Sequence, residues 1–342
     1  GGCQEHDDFD VYNNKVVATA RPDGKTCYDY FDLFGNELTS MDNSEYPVTG
    51  EWTVTGKPAT FTGTIKFDPN KNTPYAQAQG MDVPGTYKFT WTVTRKDKSG
   101  NQVCTPVSAT TVVERLGLTA DADANTTSNV LQYCDGDDFN LSGSSVDGTV
   151  VEGQWTVESY TGGAKSTIHF GDETNSGQNS FATKVLGIDP GQQATLVWTV
   201  FYHDLQSCKA ESSVTVKNRT IPATISGNRN AAGDKVLAST CTASTSLNAI
   251  DVSTKDGASG KWVKELSSYR GDITNENSNA TTFNNMADGE TVVLKWIVTT
   301  VSPLEQGGNL TCTDEDFRYL AGDGGDSFRR AVGTERDLRH RQ

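Results

Sequence analysis

Six tryptophans, arranged in three pairs that recur about every 100 residues, constrain the fold of this 342-residue chain more than any other feature. The first member of each pair lies in GEWTV, GQWTV or GKWVK, at Trp52, Trp155 and Trp262. The second lies in FTWTV, LVWTV or LKWIV, at Trp91, Trp198 and Trp296. Self-similarity at a fixed period is the signature of one structural unit written several times. We therefore predict three equivalent modules, each with one tryptophan in each of two sheets of its core.

The cysteines follow the same period. Each tryptophan pair is bracketed by two cysteines, which are Cys27 and Cys104, Cys134 and Cys208, and Cys241 and Cys312. The three bracketed segments, 27–104, 134–208 and 241–312, are nearly equal in length. These landmarks predict modules at residues 15–116, 117–221 and 222–320, followed by a tail or linker at 321–342 that is rich in arginine.

Cys3 is the seventh cysteine, and it precedes Cys27 by slightly less than Cys104 precedes Cys134. It therefore occupies the position that the second cysteine of one module takes before the first cysteine of the next. This spacing predicts that residues 1–14 are the last strand of a truncated preceding module or an N-terminal extension. A free thiol and an intermolecular bridge at Cys3 are the alternatives.

Alternating polarity predicts strands throughout the three modules. In YKFTWTVT, the residues Tyr87, Phe89, Trp91 and Val93 share one face, and Lys88 and three threonines share the other. Turn dipeptides such as Pro84-Gly85 separate such segments. About seven short strands per 100 residues are typical of an immunoglobulin-like (Ig-like) β-sandwich. The predicted fold class is all-β, with tandem Ig-like sandwiches and one disulfide per module.

The bracketing cysteines predict the pairs Cys27–Cys104, Cys134–Cys208 and Cys241–Cys312. A disulfide that closes a loop of this length stabilises a domain by about 4 kcal/mol. Disulfides form and persist in oxidising surroundings, so this pattern predicts an extracellular protein. The net charge of −15 argues against nucleic acid as a partner, because its backbone attracts cations. No apolar run has the length of a membrane span, which argues against direct membrane insertion.

The motifs GEWTVTG, ATFTGT, VPGTYKFTWTVT and VCTPVSATTVVE of the first module carry a family resemblance. Over roughly residues 16–320, the chain resembles the tandem Ig-like or PKD-like repeats of very large surface adhesins from Bacteroidetes-type bacteria, including gliding adhesins. The resemblance implies a cell-surface stalk that serves adhesion, without catalytic activity. Its partners would be neighbouring modules or other copies of the same protein, and a surface glycan or protein ligand of unknown identity.

No catalytic motif is present, and the sequence predicts no enzyme. The four histidines, His6, His169, His203 and His340, are predicted to have surface or packing roles. Clustered aspartates near the boundary of the first two modules favour calcium over other metals, although solvated acidic turns are the simpler interpretation. These weak calcium ligands are Asp121, Asp123, Asp135 and Asp137. We predict no other cofactor.

Two alternatives to the stalk remain open. The segment CQEHDDFDVYNN could complete the sheet of a neighbouring subunit, which would make the chain a filament subunit that assembles by β-strand addition. The aromatic stretch YDYFDLF could instead form a carbohydrate-binding surface, with Tyr28, Tyr30, Phe31 and Phe34 as stacking residues, although strand alternation buries half of them.

Overall fold

The computed structural model describes residues 7, 13–123, 129–136, 138–231, 233, 236–304 and 307–321. Most of the predicted N-terminal strand at 1–14 and all of the tail after residue 321 lie outside this part of the chain. Among the described residues, the only helix is a single 3-10 turn, Lys165–Thr167, and the rest is strand and turn. None of these residues belongs to a helix that is both long enough and apolar enough to cross a membrane.

By its internal contacts, the chain divides into two compact units, residues 1–119 with Phe201–Ala210, and residues 120–200 with 211–342. Within these units the strands form three groups of seven, and each group contains one of the tryptophan pairs.

The first group forms a four-stranded sheet in the order β1-β7-β6-β3 and a three-stranded sheet in the order β2-β5-β4. Its strands are β1 (Gly24–Thr26), β2 (Tyr30–Asp32), β3 (Val48–Gly56), β4 (Lys66–Asp68), β5 (Gln77–Gln79), β6 (Gly85–Arg95) and β7 (Val107–Arg115). The edge strand β1 runs parallel to β7, and the other pairs with a defined register are antiparallel.

The second group repeats this arrangement, with sheets in the orders β10-β13-β14-β8 and β11-β12-β9. Its strands are β8 (Val130–Tyr133), β9 (Phe139–Ser142), β10 (Val151–Tyr160), β11 (His169–Phe170), β12 (Ala182–Leu186), β13 (Gln193–Tyr202) and β14 (Leu205–Asn218). Again the edge strand β8 pairs in parallel with the last strand, β14.

The third group has the orders β15-β21-β20-β17 and β16-β19-β18. Its strands are β15 (Val236–Ser239), β16 (Thr245–Asn248), β17 (Ala258–Lys264), β18 (Asp272–Ile273), β19 (Ala280–Asn284), β20 (Thr291–Pro303) and β21 (Asn309–Ala321). The threefold recurrence of one strand order confirms the predicted all-β class of tandem Ig-like sandwiches. The residue boundaries of the modules stay a prediction.

All six tryptophans lie in the cores, and none exposes more than 1% of its surface. The prediction of one tryptophan in each sheet is wrong, however. Trp52 is directly opposite Trp91 on the neighbouring strands β3 and β6 of one sheet, and Trp262 is opposite Trp296 in the same way. The ring centroids in the three pairs are 5.1–5.2 Å apart. Each module therefore has a cross-strand indole pair on its four-stranded sheet, which packs against the other sheet.

A glycine makes room for each indole pair. The glycine two positions before the first tryptophan lies under the ring of the second, and a Cβ atom built on Gly50, Gly153 or Gly260 would be 2.1 Å from that ring. A strand glycine commonly marks such a close approach. The recurrent spacing Gly-x-Trp is therefore a packing motif of the sheet.

Candidate functional site

The first cysteine of each module lies directly after the edge strand or one residue beyond it. Cys27 follows β1, and Cys134 follows β8. Because the edge strand is parallel to the last strand of its own module, Tyr133 pairs with Asn218 at the far end of β14. The first cysteine is thus held at the end of the sandwich where the last strand finishes.

The second cysteine lies near the start of that last strand. Cys208 is the fourth residue of β14, and Cys312 is the fourth residue of β21. Both side chains are buried, with 0% and 1% exposure. Cys104 precedes β7 in the connection from β6, which is the equivalent hairpin of the first module.

The predicted disulfides within modules are wrong. The structure joins Cys27 to Cys208 and Cys134 to Cys312, with Cα–Cα distances of 5.3 and 5.2 Å. The parallel register explains why the two cysteines of one module do not pair. Asn218 is ten positions after Cys208 on β14, and at about 3.3 Å per residue this places Cys134 about 30 Å from Cys208. A disulfide requires Cα atoms within about 7 Å.

Each disulfide instead joins the first cysteine of one module to the second cysteine of the next module along the chain. Cys104 and Cys241, predicted as disulfide partners of Cys27 and Cys312, are free cysteines. Cys104 is half-buried, and its Sγ donates a hydrogen bond to the carbonyl oxygen of Asn14 at 3.1 Å. Cys241 is exposed. Cys3 lies outside the described residues.

Hydrogen bonds support the link from Cys134 to Cys312. The Gln132 side chain donates to the carbonyl oxygen of Pro303 at 3.1 Å, and Arg219 Nε donates to Ser302 Oγ at 2.7 Å. Pro303 ends β20 and Ser302 precedes it, so both acceptors belong to the hairpin that carries Cys312. The covalent bond is therefore accompanied by specific polar contacts to the same hairpin.

Two of the four aspartates predicted as calcium ligands, Asp121 and Asp135, accept hydrogen bonds from groups of the protein. The Asp121 carboxylate accepts the backbone N–H of Asp123 at 3.0 Å, and Asp135 Oδ1 accepts the Asn218 side-chain amide at 3.1 Å. Asp137 lies outside the described residues. Over the part of the chain that the structure covers, no group of three or more acidic, histidine or cysteine side chains could hold a metal ion.

Two of the four histidines can be placed. His169 is half-buried on β11, where its Nδ1 lies 3.4 Å from the Asn175 side-chain amide. His203 lies in the turn between β13 and β14. His6 and His340 are outside the described residues.

The first module presents an exposed aromatic surface, formed by Tyr28, Tyr30, Phe34 and Tyr75. These side chains are 39–50% exposed. Tyr28 and Tyr30 stack with their ring centroids 5.3 Å apart, and Phe34 meets Tyr75 edge-on at 5.8 Å. Phe31, predicted from the sequence as a further stacking residue, is only 7% exposed and belongs to the core.

Polar groups border this aromatic surface. Gln77 donates to Asp32 Oδ1 at 2.9 Å, and Gln79 donates to Gln77 Oε1 at 2.7 Å. The Glu37 carboxylate raises the pKa of Tyr75, first by charge repulsion and second by accepting its hydrogen bond. A surface that combines aromatic rings with amide and carboxylate groups can stack on a ligand and also form hydrogen bonds with it.

Sequence reasoning missed Tyr75 as a member of the aromatic surface. The alternation in YAQAQ places Tyr75 with Gln77 and Gln79 on the outer face, opposite the buried alanines of the same stretch. That alternation is the signal that could have found it.

The geometry defines a class of protein, an array of Ig-like β-sandwich modules joined by disulfides between consecutive modules. No protein-family model matches the chain, and no curated protein sequence matches it. Among solved structures, three N-terminal domains of the bacteriophage RB49 highly immunogenic outer capsid protein cover 90% of this chain and 99% of their own, at 11% identity and a TM-score of 0.33.

Two further solved structures are similar at the same level. A SusE-like surface-located polysaccharide-binding protein of Bacteroides thetaiotaomicron covers 89% of this chain and 60% of its own, at 8% identity and a TM-score of 0.30. Mouse cadherin-23 repeats EC22–24 cover 90% and 100%, at 11% identity and a TM-score of 0.28. Similarity at these values carries no information on function.

Proposed function

We propose that this chain is a non-enzymatic segment of an extracellular bacterial surface protein, a stalk of Ig-like modules in an adhesin. The main observation that supports this proposal is that each disulfide joins the first cysteine of one module to the second cysteine of the next. Modules on a plain string are held together only by their linkers, which few contacts cross. Here a second covalent connection spans each of the two linkers between the three modules and would keep consecutive modules joined under tension.

The energetics agree with this role. The two disulfides close loops of 181 and 178 residues. In the chain-entropy model, a loop of this size stabilises the folded state by about 5 kcal/mol, a large fraction of the stability of a small domain. Such bonds persist outside the reducing cytoplasm, which agrees with a location at a cell surface.

A cleavage experiment tests the proposal. A recognition sequence for a site-specific protease is inserted between Gly117 and Leu118, in the linker from the first to the second module. After cleavage, we expect the two pieces to migrate together on a non-reducing gel and to separate on a reducing gel, because Cys27–Cys208 spans the cut.

A Cys27→Ser variant with the same insertion is the matched control, and its pieces are expected to separate without reductant. Separation of the parent chain without reductant would overturn the proposed covalent stalk, since it would show that no disulfide joins the first module to the second.

A second candidate function is carbohydrate binding at the exposed aromatic surface of the first module. The observation that favours it is the combination of four exposed rings with the hydrogen-bonding side chains of Asp32, Gln77 and Gln79. Sugar rings have apolar faces that stack on aromatic side chains and hydroxyl edges that pair with amides and carboxylates. In this role the first module of the stalk would itself contain the ligand-binding site.

We expect the chain to bind at least one polysaccharide on a glycan array, and the double variant Tyr28→Ala/Tyr30→Ala to lose that binding by about tenfold or more, equivalent to ~1.4 kcal/mol. Phe181→Ala, which removes an exposed ring from the second module, is the matched control and should bind normally. A silent array, or equal loss in the control, would exclude this role.

A further inference from the structure

Among the residues that the structure describes, the two free cysteines, Cys104 and Cys241, occupy positions equivalent to those that are joined in the two observed disulfides. A single residue, Thr240, lies between the end of β15 and Cys241, and it continues the parallel pairing by donating its N–H to the carbonyl oxygen of Ala321 at 3.1 Å. Cys241 is therefore the first cysteine of the third module, and Cys104 is the second cysteine of the first module. In both observed bonds, a first cysteine is joined to a second cysteine.

The observed link shows what surface surrounds such a bond. Beside Cys134, the Cys312 hairpin lies along β8, with Cys134 Sγ 3.4 Å from the carbonyl oxygen of Thr311 and Cys312 Sγ 3.8 Å from that of Tyr133. β15 is the edge strand of its sheet, as β8 is. Cys241 and the three residues after it are exposed. The third module thus has an edge strand and a thiol equivalent to those that bind the Cys312 hairpin in the second module.

We propose that Cys241 of one copy of this chain forms a disulfide with Cys104 of a second copy, whose β6–β7 hairpin docks beside β15. This inference rests on the linkage between modules in the proposed function and extends it from one chain to an assembly. The bond is head-to-tail, so each joined pair still carries one free Cys104 and one free Cys241. A heterologous contact that does not close generates an open-ended filament.

The chemistry requires an oxidant. Two thiols lose two protons and two electrons when the sulfur–sulfur bond forms. A small disulfide such as oxidised glutathione accepts them by thiol–disulfide exchange and leaves as two glutathione thiols. The thiolate of one cysteine attacks the mixed disulfide on the other, so the docked hairpin needs only to bring the two sulfurs together.

Mixing two variants that each retain only one of the thiols of Cys104 and Cys241 tests the assembly. All chains carry Cys3→Ser. One chain also carries Cys104→Ser and retains Cys241, and the other carries Cys241→Ser and retains Cys104. In an oxidised and reduced glutathione buffer, we expect the mixture to form covalent dimers, each variant alone to remain monomeric, and the chain with both thiols to form longer oligomers. Peptide mapping should show Cys104 joined to Cys241.

A displaced thiol is the matched control. Cys241→Ser/Ser244→Cys moves the thiol by three positions within the same exposed segment, and in a Cys104→Ser background its dimers with the Cys104 chain should form about tenfold more slowly, because the two sulfurs are no longer held together. No dimers in the mixture, dimers of one variant alone, or equal rates with the displaced thiol would overturn the proposal. Mapping of the monomer separates this failure from failure of the stalk, because Cys27–Cys208 and Cys134–Cys312 must be present in either case.

Discussion

Reduction of the two disulfides is expected to lengthen the chain between Cys27 and Cys312 by about 700 Å, at about 3.4 Å per extended residue, when its ends are pulled in a single-molecule force experiment. With both disulfides intact, the shortest covalent path crosses the disulfide from Cys27 to Cys208, follows the backbone in reverse to Cys134 and crosses the second disulfide to Cys312. Only the segment 134–208 then carries the pull. Reduction adds the segments 27–134 and 208–312, roughly 210 residues together, to the extended length.

Two variants sharpen this measurement. Cys104→Ser removes a free thiol and should leave both the oxidised and the reduced lengths unchanged. Cys134→Ser should shift the pull from the segment 134–208 to the longer segment 208–312, and so lengthen the oxidised path by about 100 Å. If the disulfides were confined within modules, Cys134→Ser would instead release the whole segment 134–208, about 250 Å. That larger gain would contradict the linkage between modules.

The substitution Gly260→Ala is expected to destabilise the third module by about 3 kcal/mol, at the upper end of the usual cost of overpacking a core. The added Cβ would lie 2.1 Å from Trp296 Cζ2, and that ring is already paired with Trp262 at a centroid distance of 5.2 Å. Trp296 is 1% exposed, so the ring is enclosed within the core of the module. Either the strand or the indole pair must move.

Chemical denaturation followed by tryptophan fluorescence measures the loss. Ser259→Ala, at the exposed neighbour of Gly260, is the control and should change stability little. Gly35→Ala is a graded comparison in the first module, because its Cβ would lie 2.8 Å from Trp91 and should cost less than Gly50→Ala at 2.1 Å. Equal stability of Gly260→Ala and the parent chain would contradict the packing role of Gly-x-Trp.

The fold class could be predicted from the sequence because its main signals are local. Alternation in YKFTWTVT places Tyr87, Phe89, Trp91 and Val93 on the inner face, and all four are fully buried. The disulfide pairing could not be predicted in this way. The distances from Cys27 to Cys208 and from Cys134 to Cys312, 181 and 178 residues, are as regular as those within modules. Only the parallel register of β8 with β14, which no residue motif records, separates the two cysteines of one module.

For a related reason, the sequence could not predict that both tryptophans of a module lie in the same sheet. The period of two tells which residues face inward, but not which strands are neighbours. The aromatic surface is partly visible in YDYFDLF, where alternation exposes Tyr28, Tyr30 and Phe34. Tyr75 joins it through the pairing of β2 with β5, which brings together residues more than forty positions apart in sequence.

The overlap of the two disulfide loops makes the array tolerant of backbone damage. A single break between Cys27 and Cys134, or between Cys208 and Cys312, leaves the ends joined, because an intact route through the other segments and a disulfide remains. A break between Cys134 and Cys208 is bypassed by the backbone up to Cys134 and its bond to Cys312. A single cleavage of the backbone between Cys27 and Cys312 therefore releases no fragment. In surroundings rich in proteases, the protein loses a part of this span only after two or more cleavages.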